Sequence, residues 1–296
     1  MNIQKQPALS EKDKLYRAIL WMCGTLISFA TMAVAVRELT DTINSFEIVF
    51  LRTSVALTII LIIISFRGWR NISTKDLRFH IFRNTVHYIG NLTWIIGVSL
   101  IPLAQVFALE FSIPIWVALF AVLFLKEKLT IGKVIAISFG FIGVLVILRP
   151  GLMAIDQGSL AVLCAALCFA TANVITKSLS KTDNPLTILF LMFVMQLPIS
   201  AIGAYFFWTV PVWDDCPWIF LVGIMSLTAH YCMTRAITLV DVTVIIPIDF
   251  MRMPIIAIIG FYLYNEPFSV WIFLGAALIF SGNYYNIYHE RKKTWA

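Results

Sequence analysis

Charged residues are scarce in this sequence, at 13% of its 296 positions, whereas 60% of positions are hydrophobic. A soluble domain usually carries charge on about a quarter of its residues. The deficit extends along the whole chain, because apolar stretches recur from Leu15 to Tyr288. This composition excludes an ordinary water-soluble domain and predicts an all-α membrane protein whose main solvent is lipid.

The chain also lacks the motifs of metal sites, disulfide frameworks and common hydrolases. Its five cysteines show no CxxC or Cys–His spacing. A GxSxG elbow, an HExxH pair and a DxxxD pair in a cytoplasmic loop are all absent. The net charge of +6 does not indicate nucleic-acid binding, because the basic residues lie between apolar runs rather than on one helical face. We therefore expect no enzymatic activity, no metal, no cofactor and no nucleic-acid partner.

Ten apolar stretches are long enough to cross a bilayer as helices. A hydrocarbon core of about 30 Å requires about 20 residues of helix. Membrane β-strands would instead give short alternating segments, so a barrel is not expected. The predicted spans are 17–36, 46–66, 80–100, 103–125, 130–148, 158–178, 186–207, 217–237, 242–264 and 269–289.

The positions of the basic residues predict the orientation of these spans. With a cytoplasmic N-terminus, eighteen of the 22 lysines and arginines fall on the inner side. The outer segments carry only Arg37 and Arg149, and Arg52 and Arg252 lie within spans. Because cytoplasmic segments are enriched in basic residues, this asymmetry favours a multi-pass protein with both termini in the cytoplasm. The cell membrane is the predicted location, in bacteria the inner membrane.

The two halves of the sequence repeat each other. Three matches at offsets of 139 or 140 join polar residues of the two halves: Asn44 with Asn184, Glu110 with Asp249, and Glu127 with Glu266. The run Phe-Ala-Thr at 29–31 recurs at 169–171, and Gly143 aligns with Gly282. Each half holds five spans, an odd number, so the second half must enter the membrane in the opposite sense, as in the inverted repeats of secondary transporters. The predicted parts are a cytoplasmic tail at 1–16, five-helix repeats at 17–148 and 158–289, and a cytoplasmic tail at 290–296.

The repeated unit resembles the EamA domain of the drug/metabolite transporter superfamily, over nearly the whole chain. Four segments carry the resemblance: EIVFLR at 47–52, SIPIWVALFAVLFLKEKLT at 112–130, the helix with Gly140 and Gly143, and MPIIAIIGFYLYNEPFS at 253–269. The resemblance implies a ten-helix fold and solute transport. It does not name the solute, because members move amino acids, riboflavin, S-adenosylmethionine, sugars, nucleotide sugars and drugs.

Ionisable residues inside the spans are the first candidates for a substrate or coupling site, because each costs about 2.5–3.5 kcal/mol on insertion scales. Glu110 and Asp249 each lie about seven residues into a span, from opposite faces, so their depths mirror each other. They could bind a cationic group or a coupling proton. Alternatively, they could have only a structural role, in which each carboxylate neutralises the charge of Arg52 or Arg252.

The two arginines within spans have open roles. Arg252 follows Asp249 by three residues and could pair with it on one helical face, or clamp a substrate carboxylate. Arg52 lies nearer the outer end of its span and could bind solute or extend to lipid headgroups. Pro114 and Pro254 lie close to these charges and predict helix kinks at equivalent places in the two halves.

The third and eighth spans supply polar and aromatic candidates: His87, Asn91, Trp94, His230 and Tyr231. The first three share one helical face by their i, i+4 and i, i+7 spacing, and they could stack a flat solute or simply pack. His230 could relay a proton or be an ordinary core residue.

Two further features are expected to be structural. Glu127 and Glu266 lie at helix ends, where bracing is the favoured role. Gly132, Ala136 and Gly140 form a stripe of small residues that allows close helix approach, either inside the chain or at the seam of a homodimer.

Together these features predict a secondary transporter that moves a small polar organic metabolite by alternating access. Buried charges of both signs beside aromatic rings favour an amino acid or an amphoteric derivative such as S-adenosylmethionine. The alternatives are an exporter of a drug-like or vitamin-type solute such as riboflavin, and a passive channel. The expected partners are the solute, membrane lipids and a proton as coupling ion.

The inverted arrangement can be tested by the sidedness of two equivalent loops. Single cysteines introduced at 126–129 and at 265–268, in a background without other cysteines, should react with an impermeant thiol reagent from opposite sides of the membrane. Labelling of both positions from the same side would contradict inverted repeats.

Overall fold

The computed structural model describes residues 11–69, 72–124, 130–149, 155–239, 249 and 251–294. Regular structure in these residues is helical throughout, as the composition predicts. The helices are α1 (Glu11–Leu39), α2 (Ser45–Arg67), α3 (Leu77–Leu100), α4 (Leu103–Glu110), α5 (Ile113–Phe124), α6 (Ile131–Leu148), α7 (Gln157–Leu179), α8 (Pro185–Phe206), α9 (Cys216–Leu239), α10 (Arg252–Tyr264) and α11 (Val270–Thr294). Predictions on 1–10, on 125–129 with Glu127, on 150–154, on 240–248 and on 295–296 lie outside the described residues.

Side-chain caps begin the second helix of each half at equivalent positions. Asn44 accepts a hydrogen bond from the amide of Phe46 before α2, and Asn184 accepts one from the amide of Thr187 before α8. Such caps satisfy amides that have no partner within the first turn. The turns before these caps, at 40–43 and 180–183, also have the same secondary structure at each position when the halves are aligned at the offset of 140. The local structure therefore repeats where the sequence does.

The polarity of α3 shows which solvent surrounds the bundle. Its buried residues include His80, Arg83, Asn84, His87 and Asn91. Most of its exposed residues are large and apolar, among them Phe79, Ile81, Phe82 and Ile89. A helix in water has the reverse arrangement. The polar face of α3 therefore points into the protein, and its apolar face is suited to lipid.

Six helices among the described residues are long and apolar enough to cross a membrane: α1, α2, α6, α7, α8 and α9 with its preceding 3₁₀ turn. Two shorter apolar helical stretches lie at 103–117 and 252–264. The chain is thus a multi-pass membrane protein.

The helices of the two halves pair across a pseudo-two-fold axis. Helix α1 packs on α9, and α3 packs on α7, so each pair joins the first helix of one half to the third of the other. Helices α2 and α8 pair with each other, as do α6 and α11, and α4 packs on α10. This exchange of equivalent contacts confirms the two-repeat architecture.

Glycine contacts between α6 and α11 follow the same symmetry. A Cβ added to Gly143 would lie 2.6 Å from the carbonyl oxygen of Gly275, and one added to Gly282 would lie 3.2 Å from the backbone of Ala136. At the offset of 139, Gly143 corresponds to Gly282 and Ala136 to Gly275, so the axis exchanges the two contacts. The small-residue stripe of α6 is therefore used inside the chain.

The direction of the halves follows from contacts at one face of the bundle. Arg37, at the end of α1, and Glu266, after α10, both contact the segment that leads into α4. In the first turn of α4, Gln105 donates to Ser159 Oγ over 2.8 Å, at the start of α7. The end of α1 and the start of α7 thus share a face, so the two equivalent helices run in opposite directions.

Glu266 braces this face. Both of its carboxylate oxygens accept from the amide of Leu103 at 2.9 Å, and its Oε1 lies 3.4 Å from Arg37 Nη2. The carboxylate thereby satisfies an amide in the first turn of α4 and lies at the positive end of that helix. Arg37 also donates to the carbonyl oxygens of Val98 and Ile101 at the end of α3. These contacts hold helices of both halves together.

A second brace lies at the opposite face. His80 Nε2 lies 2.8 Å from Asp183 Oδ2, and both side chains are buried. Burial by itself raises the pKa of Asp183, but hydrogen bonds from Thr74, His80 and Thr182 outweigh it and hold the pKa below its ordinary value. This pair joins α3 to the turn between α7 and α8.

The structure corrects the continuous span predicted at 103–125. The helix is interrupted at Phe111 and Ser112, between α4 and α5. In the second half, α10 begins at Arg252, which aligns with the start of α5 at the offset of 139. Pro114 and Pro254 lie in the first turns of α5 and α10, where a missing amide costs least. The interruption at Phe111 and Ser112 lies in the turn where Pro114 cannot donate to the carbonyl oxygen of Glu110, which is where the sequence predicts a kink.

The close approach of α6 and α11 predicts the effect of a larger residue. Gly275→Val should lower the stability of the protein by about 1–3 kcal/mol, because its Cβ would lie 2.5 Å from the carbonyl oxygen of Gly143. Thermal unfolding in detergent measures the change. Ala277→Val, at an exposed position of the same helix, is the matched control. Equal shifts for the two variants would contradict this packing.

Candidate functional site

The paired helix breaks bring charged residues of both halves together. Glu110 is the last residue of α4, Arg252 is the first of α10, and Asp249 lies three residues before it. Helices α4 and α10 pack on each other. In membrane transporters such interrupted helices place backbone dipoles and side chains at the depth of the substrate.

Arg252 lies between two carboxylates. Its Nη2 is 3.3 Å from Glu110 Oε1 and 2.9 Å from Asp249 Oδ2. The other oxygen of Glu110 accepts from Trp94 Nε1 over 2.9 Å. The side chains of Arg252 and Glu110 are 5% and 10% exposed, and that of Asp249 is 20% exposed. We call Arg252, Glu110, Asp249 and Trp94 the Arg252 cluster.

Aromatic rings surround the guanidinium of this cluster. Its Cζ lies 4.8 Å from the ring centroid of Phe29, 5.1 Å from that of Phe107 and 5.8 Å from that of Phe111. A cation within about 6 Å of a ring face is attracted by the ring quadrupole. The rings therefore stabilise the positive charge without supplying a counter-ion.

Two histidines lie where the two halves meet. The ring centroids of His87 and His230 are 5.3 Å apart. Phe29 packs edge-on against His230 at 5.6 Å, and Phe169 packs against His87 at 5.4 Å. Phe29 and Phe169 are equivalent in the repeat, whereas at the offset of 139 His230 aligns with Asn91 and His87 with Ser226, so the two histidines are not equivalent. Phe29 also contacts Arg252, so it joins the histidines to the Arg252 cluster.

A second polar cluster extends along α3 from His87. Arg52 Nη1 donates to Asn91 Oδ1 over 3.3 Å. The amide nitrogens of Asn91 and Gln196 lie 2.9 and 3.0 Å from His87 Nδ1. Gln196 Nε2 also donates to the carbonyl oxygen of Asn84, and Asn91 Oδ1 accepts from Arg52. These bonds orient both side-chain amides with their nitrogens toward His87. The single lone pair of His87 Nδ1 therefore faces two amide donors, which favours the tautomer with the proton on Nε2.

Arg83 extends this cluster toward the start of α3. It donates from Nη1 to Asn84 Oδ1 over 2.8 Å and from Nε to Thr176 Oγ1 over 3.0 Å. Arg83 and Arg52 are both buried. We call Arg52, Arg83, Asn84, His87, Asn91 and Gln196 the Arg52 cluster.

Both clusters hold buried polar atoms with no hydrogen-bond partner among the described residues. In the Arg252 cluster they are Arg252 Nε and Asp249 Oδ1, and in the Arg52 cluster they are Arg52 Nε and Gln196 Oε1. An unpaired buried donor or acceptor costs about 1–3 kcal/mol. Such atoms suit partners supplied by a solute or by water.

The structure brings most of the candidates from the sequence into the two clusters. Arg52 does not extend to headgroups; it is buried against Asn91, so that alternative is wrong. Tyr231 packs against Trp21 and belongs to neither cluster. Pro254 lies in the first turn of α10, two residues after Arg252, and also borders an apolar surface groove with Phe261 and Tyr262.

Several residues of these clusters were missed in the sequence or assigned elsewhere. Arg83 was counted among the cytoplasmic charges, yet it is buried. A signal was present, because Arg83 and Asn84 precede His87 by four and three residues and so share its helical face. Phe29, Phe107 and Phe111 gave no signal, since apolar residues at a charged centre resemble those of any membrane helix.

An inverted repeat with interrupted helices and buried charges at its centre defines a class of membrane transporter. Residues 16–149 and 156–288 each match the EamA-like transporter family, and the chain belongs to this family. The family match confirms the resemblance seen in the sequence.

Individual relatives are more distant. The chain is 25% identical over 272 residues to the S-adenosylmethionine uptake transporter of Rickettsia bellii, covering 92% of this chain and 94% of that protein. It is 30% identical over 252 residues to the riboflavin transporter of Brucella anthropi, covering 82% and 88%. One solved crystal structure shares 16% identity and a TM-score of 0.67 over 93% of this chain and 98% of its own, which supports the fold alone.

The ion pairs of Arg252 predict a large effect of removing it. Arg252→Gln should lower the stability by about 3–5 kcal/mol, because two buried carboxylates lose their shared counter-charge. In the Arg252→Gln background, Glu110→Gln should lower the free energy of unfolding by less than it does in the unchanged protein, since the two residues contact each other. Unfolding in detergent measures all three variants.

Arg235→Gln is the control for removal of an arginine, because Arg235 is exposed and stacks on Trp21. Strict additivity of the Glu110 and Arg252 substitutions would show that the pair has no role in stability.

Proposed function

We propose that this protein is a secondary transporter of a small amphoteric metabolite and that the Arg252 cluster binds the cationic part of the solute. The contact that supports this most directly is the position of one guanidinium between two carboxylates at paired helix breaks. In this proposal the chain forms ten spans, with tails at 1–16 and 290–296 and both termini in the cytoplasm of a bacterium. The repeats at 17–148 and 158–289 alternate access to the site by tilting against each other.

The charge of the Arg252 cluster favours one class of solute. Two carboxylates and one guanidinium give a formal charge of minus one, which is costly to leave uncompensated away from water. Asp249 Oδ1 lacks a hydrogen-bond partner among the described residues, so it is free to accept one. An amino acid derivative with an extra cationic group, such as S-adenosylmethionine, carries one net positive charge and would compensate the cluster. The name of the Rickettsia bellii relative agrees with this class.

The same excess of carboxylate also suits a proton as coupling ion. When no solute is bound, a proton on Glu110 or Asp249 would leave the cluster neutral. Solute and proton would then compete for the same carboxylates, which is a simple way to couple their movements.

A neutral, flat solute of the riboflavin type, moved outward, is the second candidate. The aromatic rings of Phe29, Phe107 and Phe111 favour it, as does the name of the Brucella anthropi relative. Such a solute would not compensate the carboxylates, so we place it second. A passive channel is least supported, because the side chains of Arg252 and Glu110 are buried against each other.

Transport by proteoliposomes with purified protein tests the proposal. Labelled S-adenosylmethionine should accumulate inside against its gradient when a proton gradient or membrane potential is imposed. Asp249→Asn should slow this uptake by about tenfold or more, because it removes a charged partner of the solute. Arg252→Ala should abolish uptake while the protein still inserts into membranes, although its lower stability makes it the less informative variant.

Asp214→Asn is the matched control, because Asp214 is an exposed carboxylate outside the helices that carry the clusters. It should transport as the unchanged protein does. Uptake at the normal rate by Asp249→Asn would contradict the assignment of the site. Equilibration without accumulation would indicate a channel, and competition by riboflavin but not by S-adenosylmethionine would favour the second candidate.

A further inference from the structure

We propose that the Arg52 cluster is a separate subsite that binds the α-amino-carboxylate end of the solute, whose remote cationic group lies at the Arg252 cluster. This inference rests on the proposed function and specifies it further. It assigns Arg52 and Arg83 to the carboxylate, and it defines the solute as an α-amino acid with a second positive charge at a distance from its carboxylate.

The charge of the Arg52 cluster requires an anion. Arg52 and Arg83 are both buried, and their hydrogen bonds go to neutral groups: Asn91, Asn84 and Thr176. None of the carboxylates in the described part of the chain forms an ion pair with either arginine. Burial of a guanidinium without a carboxylate partner is expensive. A solute carboxylate bound at this cluster would relieve that cost.

The neutral members of the cluster fit the amino group beside that carboxylate. Gln196 Oε1 is a fully buried acceptor without a hydrogen-bond partner in the described part of the chain, although its Nε2 is used twice. Arg52 Nε is a buried donor that likewise has no partner among these residues. The free donor matches a carboxylate oxygen, and the free acceptor matches an ammonium group. A carboxylate and an ammonium attached to the same carbon atom are the defining feature of an α-amino acid.

The connection between the clusters fits a solute with charges at both ends. From Arg252 the path passes Phe29 at 4.8 Å, then His230 at a further 5.6 Å, then His87 at a further 5.3 Å. His87 itself belongs to the Arg52 cluster. Aromatic and imidazole rings thus lie between a centre rich in carboxylate and a centre rich in guanidinium. The aliphatic chain that joins the sulfonium of S-adenosylmethionine to its α-carbon would pass along these rings, with the opposite charges directed to opposite ends.

The two subsites can be separated by probes that each lack one charge. Decarboxylated S-adenosylmethionine lacks the carboxylate, and S-adenosylhomocysteine lacks the positive charge on sulfur. Equilibrium binding of both, and of S-adenosylmethionine, is measured on the purified full-length protein in detergent. The unchanged protein should bind S-adenosylmethionine about tenfold or more tightly than either probe, because each probe loses one charge-assisted contact.

The variants should show a crossed pattern. Arg52→Gln and Arg83→Gln should reduce the preference for S-adenosylmethionine over its decarboxylated form to about twofold or less, since neutral side chains gain little from a carboxylate. They should leave the preference over S-adenosylhomocysteine unchanged. Asp249→Asn should reduce the preference over S-adenosylhomocysteine and leave the preference over the decarboxylated form unchanged. Arg52→Lys and Arg83→Lys keep the charge and should retain part of the first preference.

The controls separate failure of this subsite from failure of the proposed function. Arg78→Gln removes an exposed arginine of α3 and should leave both preferences intact. Binding of the decarboxylated probe reports that a glutamine variant is folded, and a variant that has lost it is replaced by the corresponding lysine variant. If the unchanged protein binds S-adenosylmethionine but neither arginine affects the carboxylate preference, the subsite is overturned and the proposed function stands. If it binds none of the three compounds, the proposed function fails, and the subsite fails with it.

Discussion

The structure depends on the neutralisation of charges that are buried inside a bundle surrounded by lipid. Arg252 cannot reach water, so it is held by Glu110, by Asp249 and by three aromatic rings. The contacts with Glu110, Phe107 and Phe111 require α4 to lie beside α10, because these three residues come from the other half of the chain. The pairing of α4 with α10 therefore determines both the stability of the centre and its charge.

The scaffold is symmetric, whereas its charges are not. The glycine contacts of α6 with α11 are exchanged by the pseudo-two-fold axis. Arg52 has no arginine as its counterpart, since the equivalent position at the offset of 140 is Met192. A symmetric frame can tilt in two equivalent ways, as alternating access requires. Asymmetric charges within that frame give a bound solute one orientation.

Sequence reasoning reached the fold and part of the site, and particular residues show where it stopped. Glu110 and Asp249 were found because they align in the repeat and are charged within apolar spans. Arg83 was misplaced, because a basic residue near the predicted end of a span resembles a cytoplasmic charge. The breaks before Pro114 and Pro254 were expected as kinks, since a proline shows where a hydrogen bond is lost but not how far the chain departs from the helix.

The sequence by itself determined the solvent, the helical class, the duplication and the opposite sense of the halves. These properties follow from composition, from span length and from the odd number of spans predicted in each half, and none of them depends on which side chains touch. Only the tertiary structure decided that Arg252 pairs with Glu110 across the two halves and that Arg52 lies beside Asn91. Such contacts join residues distant in the chain, and packing of the helices selects them from many arrangements that the same hydrophobic pattern allows.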